Sequence, residues 1–381
     1  MSGRIFFRWK AGFLMFCFAV LLAGCAQGAS VPRSGRQEQT DLANDPVCHM
    51  EVDTGTAAGT SQYEGNVVPS RLLTRFVAGS LFVVVAAGSW DVWWHGAVGR
   101  DSFWEPPHIL LQAGVLGTLI AAVYAWRRTR ERRWSVLALA ALVVPLSAPF
   151  DELWHRAFGV ENVSSALIVW SPPHLALVGS LIAAVILVLP LLRADGDDIA
   201  RAVFLSLTLA SLLVLALFLA VPLEPLGPYH LLGFAGTIGR GLSVAFVLLM
   251  VRALMPTVGS ATMAVAFFLI LNSLTLGEQL APGVTVPPHA HPPVWLSVFS
   301  FLLAGLLADT LNVRWHPAII GALIGALSSG ILYGIAPLFL EPPFRFGPAN
   351  MGLAIGAAIL GGGAGGLLGI RTARMLRRVS P

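Results

Sequence analysis

One short stretch, "DVWWHGAVGRDSFWEPPH" at residues 91 to 108, holds three side chains able to share a metal ion. Asp91 and His95 are four residues apart, so on a helix they share one face. His108 follows the pair Pro106 and Pro107, which suits the first turn of a new helix, and a hairpin would return its imidazole to the first two groups. One carboxylate and two imidazoles suit copper, zinc or non-haem iron and leave coordination positions open. The competing explanation is an aromatic belt, because Trp90, Trp93, Trp94 and Trp104 belong at a membrane interface, where histidines are simply solvated.

The pattern recurs. Asp151, Trp154 and His155 repeat Asp91, Trp94 and His95 at an offset of 60 residues, and "WSPPH" ending at His174 echoes "WEPPH" ending at His108. A belt accounts for the tryptophans but not for an acid at one helix end and Pro-Pro-His at the next. Two metal sites are therefore expected, Asp91/His95/His108 and Asp151/His155/His174. The second histidine pair is separated by 18 residues against 12 in the first, which predicts one strong and one weak site. The alternative is a single ion shared by both hairpins, with the acids as outer partners. Weaker echoes place Glu224 before His230, and Glu278 before His289 and His291, which makes these histidines further candidate ligands. Glu341 precedes Asn350, where no histidine stands.

The elements that must hold these residues are membrane helices. A chain with 56% hydrophobic and 12% charged residues and a mean hydropathy of +0.76 is not that of a soluble protein. Apolar runs of roughly 17 to 24 residues, enough to cross about 30 Å of hydrocarbon, recur after residue 70. Ten are expected, at 76 to 94, 108 to 126, 134 to 150, 174 to 192, 200 to 221, 231 to 253, 257 to 276, 293 to 311, 317 to 338 and 350 to 369. The fold class is thus an all-α polytopic bundle with the lipid bilayer as its partner. Two helices make one repeat unit, so both copies run parallel.

The net charge of +4 does not point to nucleic acid, because the arginines gather in short loops and report orientation. Arg127, Arg128, Arg130, Arg132 and Arg133 follow the second span, Arg193 and Arg201 flank the loop after the fourth, and Arg371, Arg374, Arg377 and Arg378 end the chain. These ends should be cytoplasmic. The odd-numbered loops, which include both DxxxH hairpins and hold seven of the nine histidines, should then face the periplasm or exterior of a bacterial inner membrane.

Residues 1 to 70 differ from the body. Residues 1 to 25 have a basic start, an apolar stretch and small residues before Cys25, and resemble a bacterial lipoprotein signal peptide; an ordinary N-terminal helix is the alternative. Residues 26 to 70 read as a polar linker. Within it "DPVCHMEVDTGTAAGTSQYEG", residues 45 to 65, resembles the first half of a YHS domain, with His49 where that family has glycine and without its second half. The resemblance implies copper handling, for which Cys48, His49 and Met50 are soft ligands. Export of this tail conflicts with Arg71 and Arg75, which the arginine pattern places inside; the transmembrane body, 71 to 381, is oriented by that pattern. Cys17, Cys25 and Cys48 all lie in the tail, so the body has neither disulfides nor thiolate sites.

The segment from Asp91 to His108 also resembles the metal-binding segment of one membrane-embedded component of the particulate methane and ammonia monooxygenases. Asp, three residues, His, twelve residues, His is the shared spacing, and Trp94, Arg100, Asp101, Phe103 and Pro107 match as well. The resemblance implies copper bound by Asp91, His95 and His108 within the membrane, with other membrane subunits or a copper donor as partners. It covers about 25 of the 381 residues.

Arg240, within the sixth span, should face the bundle interior and pair with a carboxylate or line a polar cavity, unless the helix breaks at its flanking glycines. The glycines of "GLAIGAAILGGGAGGLLG" suit close helix packing, and His316 reads as an interface residue. The histidine boxes of membrane di-iron hydroxylases are missing, and no glycine run sits in a strand-to-helix turn. Three functions remain: a copper-binding membrane protein, such as a subunit of a copper oxidase or oxygenase; a metal or small-solute transporter; and a membrane scaffold or assembly factor. Whether the chain is an enzyme stays open at this point.

Overall fold

The computed structural model describes residues 42–44, 51–53, 62–63, 66–67, 70–98, 104–158, 170–193, 197–220, 231–255, 257, 259–276, 294–311, 315–335, 338–339 and 347–379. Two short antiparallel hairpins precede the body: β1 (Leu42–Asn44) pairs with β2 (Glu51–Asp53), and β3 (Gln62–Tyr63) with β4 (Asn66–Val67). The body is helical throughout its described length. Its helices are α1 (Ser70–Ala97), α2 (Pro106–Thr129), α3 (Arg132–Phe158), α4 (Pro172–Arg193), α5 (Asp198–Ala220), α6 (Leu231–Leu254), α7 (Ser260–Leu276), α8 (Val294–Thr310), α9 (Pro317–Ile335) and α10 (Pro348–Val379).

Each expected apolar run falls on one of these helices, although α1 starts six residues earlier than expected, α3 ends eight later and α10 ten later. Eight of them are long and apolar enough to cross a membrane. The exceptions, α7 and α8, have 17 residues each. A chain with so many such segments is a multi-pass membrane protein, because only in helices does an apolar segment satisfy its own backbone within hydrocarbon.

Proline sets several starts. Pairs at the first two positions open α2 and α4, and single prolines open α9 and α10, where a missing N–H costs nothing and the fixed φ suits the first turn. At the far end of α2, Arg130 adopts the left-handed conformation (φ 57°) and its N–H closes the helix on the Trp126 carbonyl.

The first four helices form two hairpins, α1–α2 and α3–α4, with α2 against α3 and α4 against α1. In the first hairpin Gly114 lets α1 approach: a Cβ there would lie 2.8 Å from Val84 Cγ2 and 3.1 Å from the Ser80 carbonyl oxygen. Six residues past the histidine of the second hairpin the chain has Ser180 instead. Helix α5 sits centrally, with Leu205, Leu209, Leu212 and Leu213 buried against α4, α6 and α7.

Helix α10 supplies the closest contacts. Gly361, Gly365 and Gly369 lie against the backbone carbonyls of Ile238, Leu242 and Phe246 on α6, while Gly362 and Gly366 meet Gly321 and Pro317 on α9. Without glycine the backbones could not touch, and in lipid such packing replaces the hydrophobic drive that water would supply.

Polar contacts fix the two ends. At one end Arg75 of α1 bonds Asp197 in the α4–α5 connection (3.3 Å), and Arg201 pairs with Asp198. At that same end the Asp309 carboxylate of α8 accepts hydrogen bonds from the Ala261 and Thr262 backbone N–H groups (3.1 and 2.9 Å) and from the Thr262 hydroxyl (2.7 Å). A side chain from a neighbouring helix thus caps α7. At the opposite end the Trp170 indole donates to the Leu219 carbonyl (2.9 Å), tying the start of α4 to the finish of α5.

Arg240 is 6% exposed. Helix α6 runs unbroken through Gly239 and Gly241, and the guanidinium carbon lies 5.4 Å from the centre of the Phe301 ring on α8. The flanking glycines serve packing: Gly239 faces Ala220 and Gly241 faces Ala358.

Candidate metal centre

Asp91 lies in the last two turns of α1, and His108 is the third residue of α2. The hairpin brings them together, with His108 Nε2 3.1 Å from Asp91 Oδ1. Glu105 joins them. Asp91, Glu105 and His108 can each offer one donor atom such that all three lie within 4.8 Å of one another. His95 stands one turn beyond Asp91 in α1; its side chain lies outside the described residues.

The position of Glu105 explains its orientation. It is the N-cap of α2, and its backbone carbonyl accepts the Ile109 N–H (3.0 Å), but its side chain makes no capping hydrogen bond. A glutamate is one methylene longer than the aspartate preferred at such positions. This one is 5% exposed and its carboxylate joins the cluster. Two carboxylates and an imidazole held this close match the chemistry of a divalent cation, since the acids otherwise repel and their burial is costly.

The second hairpin repeats the cross-hairpin contact at longer range. His174 Nε2 lies 3.6 Å from Asp151 Oδ1. Ser171 stands where the first hairpin has Glu105, and it does cap its helix: Oγ lies 3.4 Å from the His174 N–H and 2.9 Å from His174 Nδ1. The side chain of His155 lies outside the described residues. Each acid and histidine pair closes within its own hairpin.

The remaining candidates are placed as follows. His230, His289, His291 and Cys48 lie outside the described residues. Arg240 is on α6, which packs on α5, α7, α9 and α10, and it is not a member of the Asp91 group. His316 is exposed ahead of α9, where its carbonyl accepts the Ile319 N–H (2.9 Å). The tryptophans divide: Trp104 is 74% exposed, as a belt residue would be, whereas Trp90 and Trp93 are buried beside Asp91. Trp94 meets Trp90 edge to face, ring centres 5.9 Å apart.

Glu105 is absent from the sequence-derived ligand set. Two signals mark it: it lies three residues before His108, a helical same-face spacing, and it is where "WEPPH" and "WSPPH" differ.

Comparison of the chain with protein-family models, with curated proteins and with solved structures finds no match in any of the three. Fold and site together define a multi-pass helical membrane protein with a carboxylate–imidazole cluster near one end of its helices.

Proposed function

We propose that the protein binds a metal ion in the membrane, with copper as the metal and Asp91, Glu105 and His108 as its protein donors. The observation that carries this reading is the convergence of three donor atoms within 4.8 Å at the mouth of the α1–α2 hairpin. Oxygen and imidazole donors suit a divalent ion such as Cu(II), while zinc and iron accept the same set. The resemblance of residues 91 to 108 to the copper segment of the particulate monooxygenases favours copper, and His95, in register with Asp91, is the fourth candidate donor.

Bound copper would supply a Lewis acid and a one-electron couple. The chain's own residues do the rest. Pro106 and Pro107 fix the entry to α2, Glu105 turns its carboxylate inward, and Gly114 lets α1 lie close to α2. The arginine-rich end faces the cytoplasm, which puts the cluster on the periplasmic or exterior side, where a copper donor or a further membrane protein would meet it. In this reading the chain is a subunit of a copper-dependent oxidase or oxygenase, or a copper-handling protein.

The test is metal analysis of the purified full-length chain beside a double variant, Asp91→Ala with His108→Ala. Copper in the parent and none in the variant supports the proposal. Equal copper in both, or none in the parent after growth in copper, refutes it.

A further inference from the structure

The two hairpins are duplicates, and besides their loop length they differ in one residue that stands among the candidate donors. Both have an acid near the end of the first helix, a histidine four residues later, and Pro-Pro-His opening the next helix. His95 and His155 are common to both in sequence. The residue before Pro-Pro is not. Glu105 is 5% exposed and leaves its helix uncapped to join Asp91 and His108. Ser171 is 1% exposed and spends its hydroxyl on the cap and on His174 Nδ1, 2.9 Å away.

We infer that this residue decides which hairpin holds a divalent metal ion: Glu105 completes a site on the first, and Ser171 leaves Asp151 and His174 as a polar pair without one. The inference rests on the metal-binding reading above. Its chemistry is direct. A carboxylate adds a negative charge and an oxygen donor, both of which a divalent ion requires, whereas a neutral hydroxyl already engaged by an imidazole and a helix N–H supplies neither. The Nδ1 contact turns the Nε2 edge of His174 to Asp151, so the second pair is oriented, at 3.6 Å, as a structural link between α3 and α4.

The experiment counts metal. Full-length protein in detergent is stripped with chelator and titrated with Cu(II), and separately with Zn(II), by equilibrium dialysis. The wild type should take up one tight equivalent that His108→Ala removes and His174→Ala leaves in place. Glu105→Ser should weaken that equivalent by more than about 100-fold, the upper end of the range for losing an outer-sphere partner, and Glu105→Gln, which keeps the shape, should do the same. Ser171→Glu should add a second equivalent, with Ser171→Asp as the smaller replacement should the first not fold. Glu105→Gln binding as the wild type does, both Ser171 variants staying at one equivalent, or His174→Ala lowering the wild-type count would each overturn the inference. A wild type with no tight equivalent removes the metal reading itself and this inference with it, a result distinguishable from the others before any variant is made.

Discussion

Asp91→Asn removes a charge and leaves the side chain's shape. Its Oδ1 lies 3.1 Å from His108 Nε2, and the two side chains are 19% and 17% exposed. This is a close electrostatic contact rather than a hydrogen bond at Oδ1, and such a pair contributes about 1 kcal/mol or less, so with metal chelated the variant should be less stable by about that amount. Metal adds a separate term. An ion at 100 times its dissociation constant stabilises the folded state by about 2.7 kcal/mol, and a variant that no longer binds loses it. The gap between wild type and Asp91→Asn should therefore widen to about 3–4 kcal/mol when Cu(II) is present. Asp151→Asn is the internal comparison. Its partner is 3.6 Å away, past hydrogen-bond range, so the cost should be about 1 kcal/mol or less and unchanged by metal. Denaturation in detergent, with chelator and with Cu(II), measures all four differences. A gap for Asp91→Asn that is the same in both conditions refutes metal binding by Asp91. A gap for Asp151→Asn that widens with Cu(II) refutes the assignment of the ion to the first hairpin.

On α10, Gly361→Ala should destabilise by about 1–3 kcal/mol, the usual cost of overpacking, because its Cβ would meet the Ile238 backbone; Gly356→Ala, with nothing within 4 Å, should be neutral or stabilising. Thermal midpoints of the two variants compare them directly. Asp309→Ala should cost about 2 kcal/mol, the upper range for a lost cap, and hydrogen exchange should speed up at Ala261 and Thr262, whose N–H groups it binds. In a chain cleared of Cys17, Cys25 and Cys48, Thr129→Cys should resist an impermeant thiol reagent in intact cells if the arginines from Arg127 to Arg133 orient the body by the positive-inside rule; labelling there would reverse the proposed orientation.

Helices were legible in the sequence because a bilayer leaves little choice: a run such as 174 to 192 must span or stay out, and its backbone must satisfy itself. The close approach of α6 and α10 was legible in outline, since repeated glycine in an apolar helix has few other uses. Asp91 and His108 could be paired from spacing alone because the Pro-Pro pair announces where the chain turns back. Glu105 escaped that reading. A glutamate before Pro-Pro reads as a polar residue at a helix entry, and only the tertiary approach of α1 reveals that it points inward. The Asp309 cap on α7 was equally hidden, because it joins residues 47 and 48 apart, a separation that no local pattern records. Trp90 and Trp93, expected in an interfacial belt, are buried because the adjoining helices cover that face of α1.

Helix α1 carries Asp91 and packs on α2, α4, α5 and α7. Its position is therefore set by four neighbours, whereas Glu105 and His108 stand at the start of α2 alone. The separation of the donors reports how α1 sits against the rest of the bundle. A partner that slid α1 along α2 would open or tighten the Asp91–His108 contact, and an ion bound there would in turn lock the register of the two helices.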